Sequence, residues 1–385
     1  MKISKRLASL PPYLFAEIDK LKEKLTREGI DIIDASIGDP DLPPPQEIIE
    51  YLKNKLDDHH IHRYPPYGGI PKLKEAIANW YEERFNVKVN PAEEILVLIG
   101  AKEGIAHLPL AIVDPQDVVL VPTPAYPVYY SGSLLACASP YTIILKESKN
   151  FVPDVWSIPK EIARQSKIMF LNYPNNPTTA IMPKEVLEEI TSWAKANEIL
   201  LIYDNTYSEI YYDVSPISAL EVPNFKEIGI EVHSFSKTFN MTGWRVGFAV
   251  GNREVIEALG KVKQNIDSSV FIPIQEAVAF ALSHFKKYGS NIRKVYYERC
   301  KQLIKALKDT GISFITPKAT FYLWIKTPAG LSSKDFTLYL LKELGICIAE
   351  GEGFGKGGEG FCRISLTVPD LQLEELCRRI SKAKI

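Results

Sequence analysis

Cysteine is scarce and widely scattered in this sequence of 385 residues. There are five cysteines and no Cys-x-x-Cys pair, at positions Cys137, Cys300, Cys347, Cys362 and Cys377. An odd number at wide spacing fits neither a disulfide framework nor a zinc site. We therefore expect reduced thiols and a cytoplasmic protein.

Long apolar runs and an excess of one charge are also missing. The apolar run at residues 95–99 is far shorter than the roughly 18 to 20 residues that cross a bilayer. No apolar run of signal-peptide length precedes Glu17. A formal net charge of −1 gives no reason to expect nucleic acid. We predict a soluble protein that is not exported.

Three of the six histidines cluster as His59, His60 and His62. This spacing suits neither ligation from one helix face nor ligation from one strand, and no cysteine lies nearby. We interpret the cluster as a polar helix end and predict no metal.

Short apolar runs recur through the middle of the chain and are typical of buried strands. They cover residues 95–99, 118–121, 168–171, 199–203 and 230–235. Segments of helical period lie between several of them, for example residues 183–196. Alternation of strand and helix predicts an α/β fold with a mostly parallel, doubly wound sheet.

The two ends of the chain have a different pattern. Helical periodicity covers residues 13–27 and 292–307, and the C-terminal third mixes helices with short strands. We predict a large domain over residues 46–285, and a smaller α+β domain built from residues 1–45 and 286–385.

Polar residues follow the predicted strands. Ligands of an open parallel sheet bind outside the carboxyl ends of its strands. The segments at those ends are residues 100–104, 122–126, 172–177, 204–207 and 234–237. They bring an acid, an amide, two tyrosines, two serines and a lysine to one edge of the sheet.

The last of these segments combines an amine with candidate phosphate ligands. A lone lysine is usually a solvated surface charge, but Lys237 follows Ser234 and Ser236 and precedes Arg245 by eight residues. The glycines within residues 243–247 allow close backbone approach. A lysine that can form an imine, together with phosphate ligands, suits pyridoxal 5'-phosphate.

That cofactor needs an anion at its ring nitrogen, and Asp204 is the candidate. Taken alone, Asp204 could instead cap a following helix. Tyr207 and Asn176 could donate hydrogen bonds to the ring hydroxyl oxygen. Taken alone, they are as well explained by packing and by a turn.

The ordered motifs resemble those of the class I and II aminotransferases, in the fold-type-I pyridoxal-phosphate superfamily. They are Pro-Asn-Asn-Pro-Thr, Asp-x-x-Tyr, and Ser-x-Ser-Lys with Gly-Trp-Arg-x-Gly. The match runs over nearly the whole chain, from residues 37–41 through 64–69 to 363–365. It implies the fold-type-I architecture, with a large sheet domain and a smaller domain.

The resemblance also implies roles at the cofactor ring. Lys237 would hold the cofactor as a Schiff base and then move a proton at the substrate's α-carbon. Asp204 would contact the pyridine nitrogen, and Asn176 and Tyr207 the ring hydroxyl oxygen. Tyr126 would stack on the ring face.

Further residues are implied around the phosphate. Ser234, Arg245, Ala101 and Lys102 would bind it, and Ser236 belongs to the same cofactor-binding set. Relatives often have a small hydroxyl residue at position 101. With Ala101 that side-chain hydrogen bond is missing, and backbone amides or Lys102 must compensate.

Arg363 is implied as the ligand of the substrate α-carboxylate, helped by Gly38 and Asn176. By itself, Arg363 would be assigned to a surface ion pair. Tyr64 would reach the phosphate in the neighbouring subunit, which implies a homodimer with shared active sites. Relatives usually have glycine where this chain has Thr179, so the backbone there is expected to turn differently.

The implied reaction is a ping-pong transfer of an amino group between an amino acid and a 2-oxo acid. Residues 10–21, 39–43 and 100–104 are similar to the LL-diaminopimelate aminotransferase branch. That branch exchanges LL-diaminopimelate with 2-oxoglutarate in lysine biosynthesis. No second arginine can be assigned to a distal carboxylate from the sequence.

Alternatives stay open at this point. An aspartate, alanine or aromatic aminotransferase would share every residue named. The same cofactor site also supports carbon-sulfur β-elimination, because a fold does not fix a reaction. A non-enzymatic regulator is disfavoured by the intact Lys237, Asp204 and Arg363.

Overall fold

The structure is a computed structural model that describes residues 3–11, 14–308 and 310–383. The predicted start of the first long helix at Tyr13 lies outside the described residues. The helices are α1 (Lys5–Ala8), α2 (Leu14–Arg27), α3 (Gln46–Lys55), α4 (Pro71–Phe85), α5 (Ala101–Ile112), α6 (Val128–Leu135), α7 (Lys160–Gln165), α8 (Lys184–Ala196), α9 (Phe225–Ile228), α10 (Phe235–Thr238), α11 (Arg253–Ile266), α12 (Ile272–Leu282), α13 (Phe285–Lys308), α14 (Ser333–Leu344) and α15 (Asp370–Ile380).

The strands are β1 (Ile33–Asp34), β2 (Ile95–Leu98), β3 (Val118–Thr123), β4 (Ser139–Ile144), β5 (Ser166–Asn172), β6 (Leu200–Asp204), β7 (Gly229–Ser234), β8 (Gly247–Gly251), β9 (Phe314–Ile315), β10 (Tyr322–Lys326), β11 (Ile346–Cys347), β12 (Ala349–Glu350) and β13 (Phe361–Ser365). The five predicted strands correspond to β2, β3, β5, β6 and β7, with ends that differ by at most two residues.

Seven strands form the central sheet in the order β2-β8-β7-β6-β5-β3-β4. Strands β3 to β7 pair in parallel. Strand β8 is antiparallel to both of its neighbours. The predicted α/β fold with a mostly parallel sheet is therefore confirmed.

The central strands are apolar along their whole length because both faces of the sheet are covered. In β3, Val119 and Val121 pack into one hydrophobic cluster. Val118 and Leu120 pack into another cluster on the opposite side, together with Leu187 of α8. Helices on both faces thus hold the carboxyl ends of the strands at one edge.

Two strands of this sheet were not predicted. Strand β4 lies at the sheet edge and is mostly exposed or half-buried, so it has no continuous apolar run. Strand β8 begins and ends with glycine, a residue that is depleted in strands.

The second region is built from both ends of the chain. Its four-stranded antiparallel sheet has the order β12-β13-β10-β9, and β1 pairs with β11. Ile33 from the N-terminal part shares one hydrophobic cluster with Phe336 and Ile364 from the C-terminal part.

The 24-residue helix α13 joins the two regions. Phe285 and Tyr288 at its start pack with α4 and the central sheet. From Ile292 onward its buried residues pack with the second region. The division of the chain at residues 45 and 286 stays a prediction.

The three clustered histidines do not form the end of a helix as predicted. Helix α3 ends at Lys55, and residues His59–His62 form a short 3-10 helix of their own, capped by Asp58. His62 Nε2 lies 2.9 Å from the Leu56 carbonyl oxygen, which ties this turn back to the preceding segment. Among the described residues, no helix is both long and apolar enough to cross a membrane.

Candidate active site

A cavity of about 400 Å³ opens at the carboxyl edge of the central sheet. One wall comes from the ends of sheet strands and the loops after them, and we call it the sheet wall. Its main members are Asp204, Ser234 and Lys237. The facing wall comes from the second region, and we call it the small wall. Its members are Arg363, Tyr322 and Phe354.

The structure brings nearly all of the predicted site residues to this cavity. Those that line it are Gly38, Ala101, Lys102, Tyr126, Asn176, Asp204, Tyr207, Ser234, Ser236, Lys237, Arg245 and Arg363. Tyr64 does not line the cavity of its own chain, and it is 89% exposed. The roles predicted for these residues stay predictions.

Lys237 lies in the short helix α10, directly after β7. The Ser234 hydroxyl accepts a hydrogen bond from the Ser236 amide at 3.2 Å and so caps this helix. Lys237 Nζ donates to the Gly38 carbonyl oxygen at 2.9 Å. Burial lowers the pKa of Lys237 to about 8, and the positive charge of Arg363 acts in the same direction. The Asp39 carboxylate opposes this shift.

Asp204 ends strand β6 and is 4% exposed. Its carboxylate accepts hydrogen bonds from the Tyr129 hydroxyl at 2.7 Å and from the Thr206 amide at 3.0 Å. Burial raises the pKa of Asp204, although both hydrogen bonds act against the rise. The segment after Asp204 forms a turn, so this residue does not cap a following helix.

Tyr207 and Asn176 link the sheet wall to the small wall. The Tyr207 hydroxyl lies 2.9 Å from the Tyr322 hydroxyl. Asn176 Oδ1 accepts a hydrogen bond from Arg363 Nη1 at 2.7 Å. Both predicted ligands of the cofactor ring therefore also contact the second region.

The first turn of α5 and the Arg245 guanidinium form a concave, positively charged surface. Gly100 precedes this helix with φ of 77°, and a Cβ there would lie 2.5 Å from Arg245 Nη2. Ala101 and Lys102 follow in the first turn. Backbone N–H groups at a helix N-terminus bind anions, and an adjacent guanidinium adds charge.

Arg363 lies on β13 and is only 2% exposed. Besides its bond to Asn176, it donates from Nη2 to the Ser36 carbonyl oxygen at 2.6 Å. Its guanidinium carbon lies 4.1 Å from the centre of the Tyr322 ring and 4.7 Å from the centre of the Phe354 ring. Arg363 is therefore not part of a surface ion pair.

Sequence reasoning missed three aromatic residues of the cavity. Tyr129 could have been considered, because it is an aromatic residue only three positions after Tyr126. Tyr322 belongs to a strand that gave no motif. Phe354 lies in a glycine-rich 3-10 turn, Gly351–Phe354, where the sequence indicates only a loop.

The backbone at Thr179 keeps a conformation that glycine favours, contrary to the prediction that it would turn differently there. Its φ is 65°, in the left-handed region that glycine favours, and the residue is 1% exposed. A β-branched residue is strained there. The surrounding turn holds this conformation through the bond from the Thr179 amide to the Asn175 carbonyl oxygen at 2.9 Å.

Comparison with known proteins gives a consistent result. A family model described as aminotransferase class I and II matches residues 30–380. The chain is 48% identical to an LL-diaminopimelate aminotransferase of Aquifex aeolicus, covering 100% of each chain. It is 46% identical to one of Syntrophobacter fumaroxidans, covering 98% of each.

Solved structures with the same fold include substrate-bound BacF from Bacillus subtilis. That structure has a TM-score of 0.95 at 35% identity, covering 99% of this chain and 98% of BacF. An aspartate aminotransferase mutant from Thermus thermophilus has a TM-score of 0.92 at 28% identity, covering 99% of each chain.

Proposed function

The chain belongs to the class I and II aminotransferases, and from this membership we propose that it exchanges an amino group between LL-diaminopimelate and 2-oxoglutarate. It is a pyridoxal-phosphate-dependent enzyme. The observation that carries the reaction class is the meeting of Lys237 and Arg363 in one cavity. An amine that can act on a substrate carbon thus lies beside a guanidinium that can bind a carboxylate.

The residues of the sheet wall fit pyridoxal phosphate. Asp204 is a buried carboxylate whose two hydrogen-bond donors, Tyr129 and Thr206, are both neutral. A protonated pyridine nitrogen would bring the positive charge that these donors lack. The N-terminus of α5 and Arg245 offer an anion site for the phosphate. We assign the cofactor to this wall.

When bound, pyridoxal phosphate supplies an electron-withdrawing ring that stabilises negative charge on a carbon losing its proton. The Lys237 amine would take up that proton at the substrate α-carbon and hold it for transfer to the cofactor. A pKa near 8 suits this task, because the amine can then hold or release a proton close to neutral pH. Arg363 fixes the substrate by its α-carboxylate.

The remaining ring contacts belong to Tyr207, Asn176 and Tyr126. Hydrogen bonds from Tyr207 and Asn176 to the ring hydroxyl oxygen would stabilise negative charge on that oxygen. Tyr126 is half-buried beside Tyr129, with ring centres 5.9 Å apart, and would cover one ring face.

The choice of substrate rests on the relatives. Two of them, each covering 98% or more of both chains at 46% and 48% identity, are named LL-diaminopimelate aminotransferases. Both partners in a ping-pong reaction carry an α-carboxylate. One Arg363 therefore serves LL-diaminopimelate and 2-oxoglutarate in turn.

We also propose that two chains share their active sites. Tyr64 lies outside its own cavity and is 89% exposed, which supports a role at the phosphate of a partner. The five cysteines are unpaired thiols, which supports a cytoplasmic location.

The proposed exchange can be tested one half-reaction at a time. LL-diaminopimelate added to the loaded enzyme should shift the visible absorbance of the cofactor, and 2-oxoglutarate should restore it. A shift with aspartate, alanine or aromatic amino acids, but none with LL-diaminopimelate, would overturn the substrate assignment. Release of pyruvate and ammonia from cystathionine without a 2-oxo acid would indicate a β-lyase instead.

The role of Lys237 has its own test. In Lys237→Ala, turnover should fall about 10⁴-fold, because the nucleophile and the base are both lost. Lys72→Ala removes a lysine of the surface pair with Glu276 and should keep normal turnover. Normal turnover in Lys237→Ala would contradict the assignment.

A further inference from the structure

We propose that Tyr322 is a positioning residue with two separable functions: its ring orients the Arg363 guanidinium, and its hydroxyl acts on Tyr207. The inference rests on the proposed function, in which Arg363 binds the substrate carboxylate. It adds to the site a residue that does not itself need to touch the substrate.

The first function follows from the way the Arg363 guanidinium is enclosed. The centre of the Tyr322 ring lies 4.1 Å from the guanidinium carbon, and the Phe354 ring centre lies 4.7 Å from it. Asn176 Oδ1 and the Ser36 carbonyl oxygen accept hydrogen bonds from Nη1 and Nη2. Two rings and two oxygen acceptors thus contact one cation and restrict its position.

Orientation matters because a guanidinium binds a carboxylate through two parallel N–H groups in one plane. Hydrogen bonds with Asn176 and Ser36 fix where the two nitrogens lie. The rings supply a cation–π attraction, which is strongest where water is excluded, as it is at a residue 2% exposed. Without a ring against it, the planar group can tilt, and one of the two parallel bonds weakens.

Tyr322 is well held for this task. It is 2% exposed and begins strand β10, where it pairs with Ser365 of β13. Arg363 lies two residues before Ser365 on that neighbouring strand. The ring and the guanidinium are therefore carried by the same antiparallel pair, and their relative position does not depend on a loop.

The second function follows from the hydroxyl group. It lies 2.9 Å from the Tyr207 hydroxyl. Either hydroxyl can donate in this pair, but if Tyr207 gives its one proton to the ring hydroxyl oxygen, Tyr322 must be the donor to Tyr207. A hydrogen bond received from Tyr322 would polarise the Tyr207 hydroxyl and make it a stronger donor. Stronger donation would stabilise negative charge on that oxygen and so lower the pH at which the bound cofactor loses its proton.

Gly38, in the N-terminal segment, leaves room for the same hydroxyl because it has no side chain. A Cβ at Gly38 would lie 1.8 Å from the Tyr322 hydroxyl oxygen. The Gly38 carbonyl oxygen in turn accepts the Lys237 bond at 2.9 Å. Tyr322 thus contacts the surroundings of both proposed substrate-handling groups, Lys237 and Arg363.

Two substitutions separate the functions. Tyr322→Phe keeps the ring and removes the hydroxyl, so the KM for LL-diaminopimelate should stay within about twofold of the parent value. The pH midpoint of the visible absorbance change should rise by a few tenths of a pH unit, because Tyr207 becomes a weaker donor. Tyr322→Leu should show this shift and also raise KM about tenfold, with a smaller change in kcat.

Two further variants serve as companion and control. Phe354→Leu removes the second ring near the Arg363 guanidinium and should raise KM without moving the absorbance midpoint. Phe336→Leu makes a comparable aromatic-to-leucine change in the hydrophobic cluster that contains Tyr322, at a residue that does not line the cavity. It should alter neither readout, so it corrects for general loss of packing.

The inference is overturned if Tyr322→Leu folds with an unchanged KM, or if Phe336→Leu raises KM equally. An absorbance midpoint that does not move in Tyr322→Phe would overturn the hydroxyl function alone. If the parent enzyme itself fails to exchange amino groups, the proposed function fails first. If Tyr322→Leu does not fold, Tyr322→Met removes the ring with a flexible side chain and decides the first part by its KM, and Tyr322→Phe decides the second.

Discussion

The sheet wall and the small wall of the cavity hold their charges in different ways. On the sheet wall, burial shifts the pKa values of two groups. It raises the pKa of Asp204 and lowers that of Lys237 to about 8. On the small wall, the buried Arg363 is held by an amide oxygen, a carbonyl oxygen and two rings. One wall is suited to moving protons, and the other to holding a carboxylate still.

This difference reflects how the walls are built. The sheet-wall residues each end or closely follow a parallel strand, so they lie at one edge of the sheet. The small-wall residues come from two antiparallel strands and a 3-10 turn, with a contact to Ser36 from the other end of the chain. Lys237, the group that must change its protonation, comes three residues after the end of a strand of the central sheet. The group that must recognise substrate joins segments distant in sequence.

After Lys237→Ala, the largest expected effect is that of a second substitution on the sheet wall. Asp204→Asn keeps the shape but removes the negative charge, so kcat should fall on the order of 10² to 10³. Turnover of fully loaded enzyme measures this effect. Asp41→Asn, which alters a carboxylate paired with Arg299 outside the cavity, is the matched control and should change kcat little. An equal fall of kcat in both variants would show that the loss is not specific to the carboxylate of the sheet wall.

A smaller effect is expected at the small wall. Arg363→Ala should raise KM for the amino donor about 100-fold, because charge-assisted hydrogen bonds are worth a few kcal/mol. Cofactor loading, measured by absorbance, should stay intact. Arg363→Lys should recover only part of the loss, since lysine cannot form the planar fork. Loss of the cofactor in Arg363→Ala would show that the small wall also serves the cofactor.

The smallest effect concerns pH. Only a neutral amine can attack the cofactor aldehyde, so the rate of cofactor capture by the empty enzyme should rise with pH through about 8 and then level off. An unperturbed lysine would place that midpoint near 10.5. Asp39→Asn should move the midpoint lower, because the Asp39 carboxylate raises the pKa of Lys237. Stopped-flow absorbance between pH 6.5 and 9.5 measures the midpoint, and a rate still rising steeply at the upper limit would contradict it.

The two walls also differ in how far the sequence predicts them. Asp204, Ser234 and Lys237 directly follow or terminate continuous apolar strands, so their meeting at one edge could be predicted from periodicity. Arg363 was identified only by resemblance. Tyr322 and Phe354 were missed, because antiparallel pairing and an irregular loop decide which residues meet, and neither leaves a local pattern. Strand β8 was also missed, because it begins and ends with glycine, a residue that is depleted in strands.

The contact between Lys237 and Gly38 has a consequence for mutational scanning. The acceptor is a main-chain oxygen, which every amino acid would supply, so no substitution at position 38 deletes it. What a substitution adds is a Cβ, and this atom would overlap the Tyr322 hydroxyl oxygen. Substitution of Gly38 by alanine, serine or aspartate should therefore reduce activity to a similar extent. The loss would depend on the presence of a Cβ and not on the chemistry of the rest of the side chain.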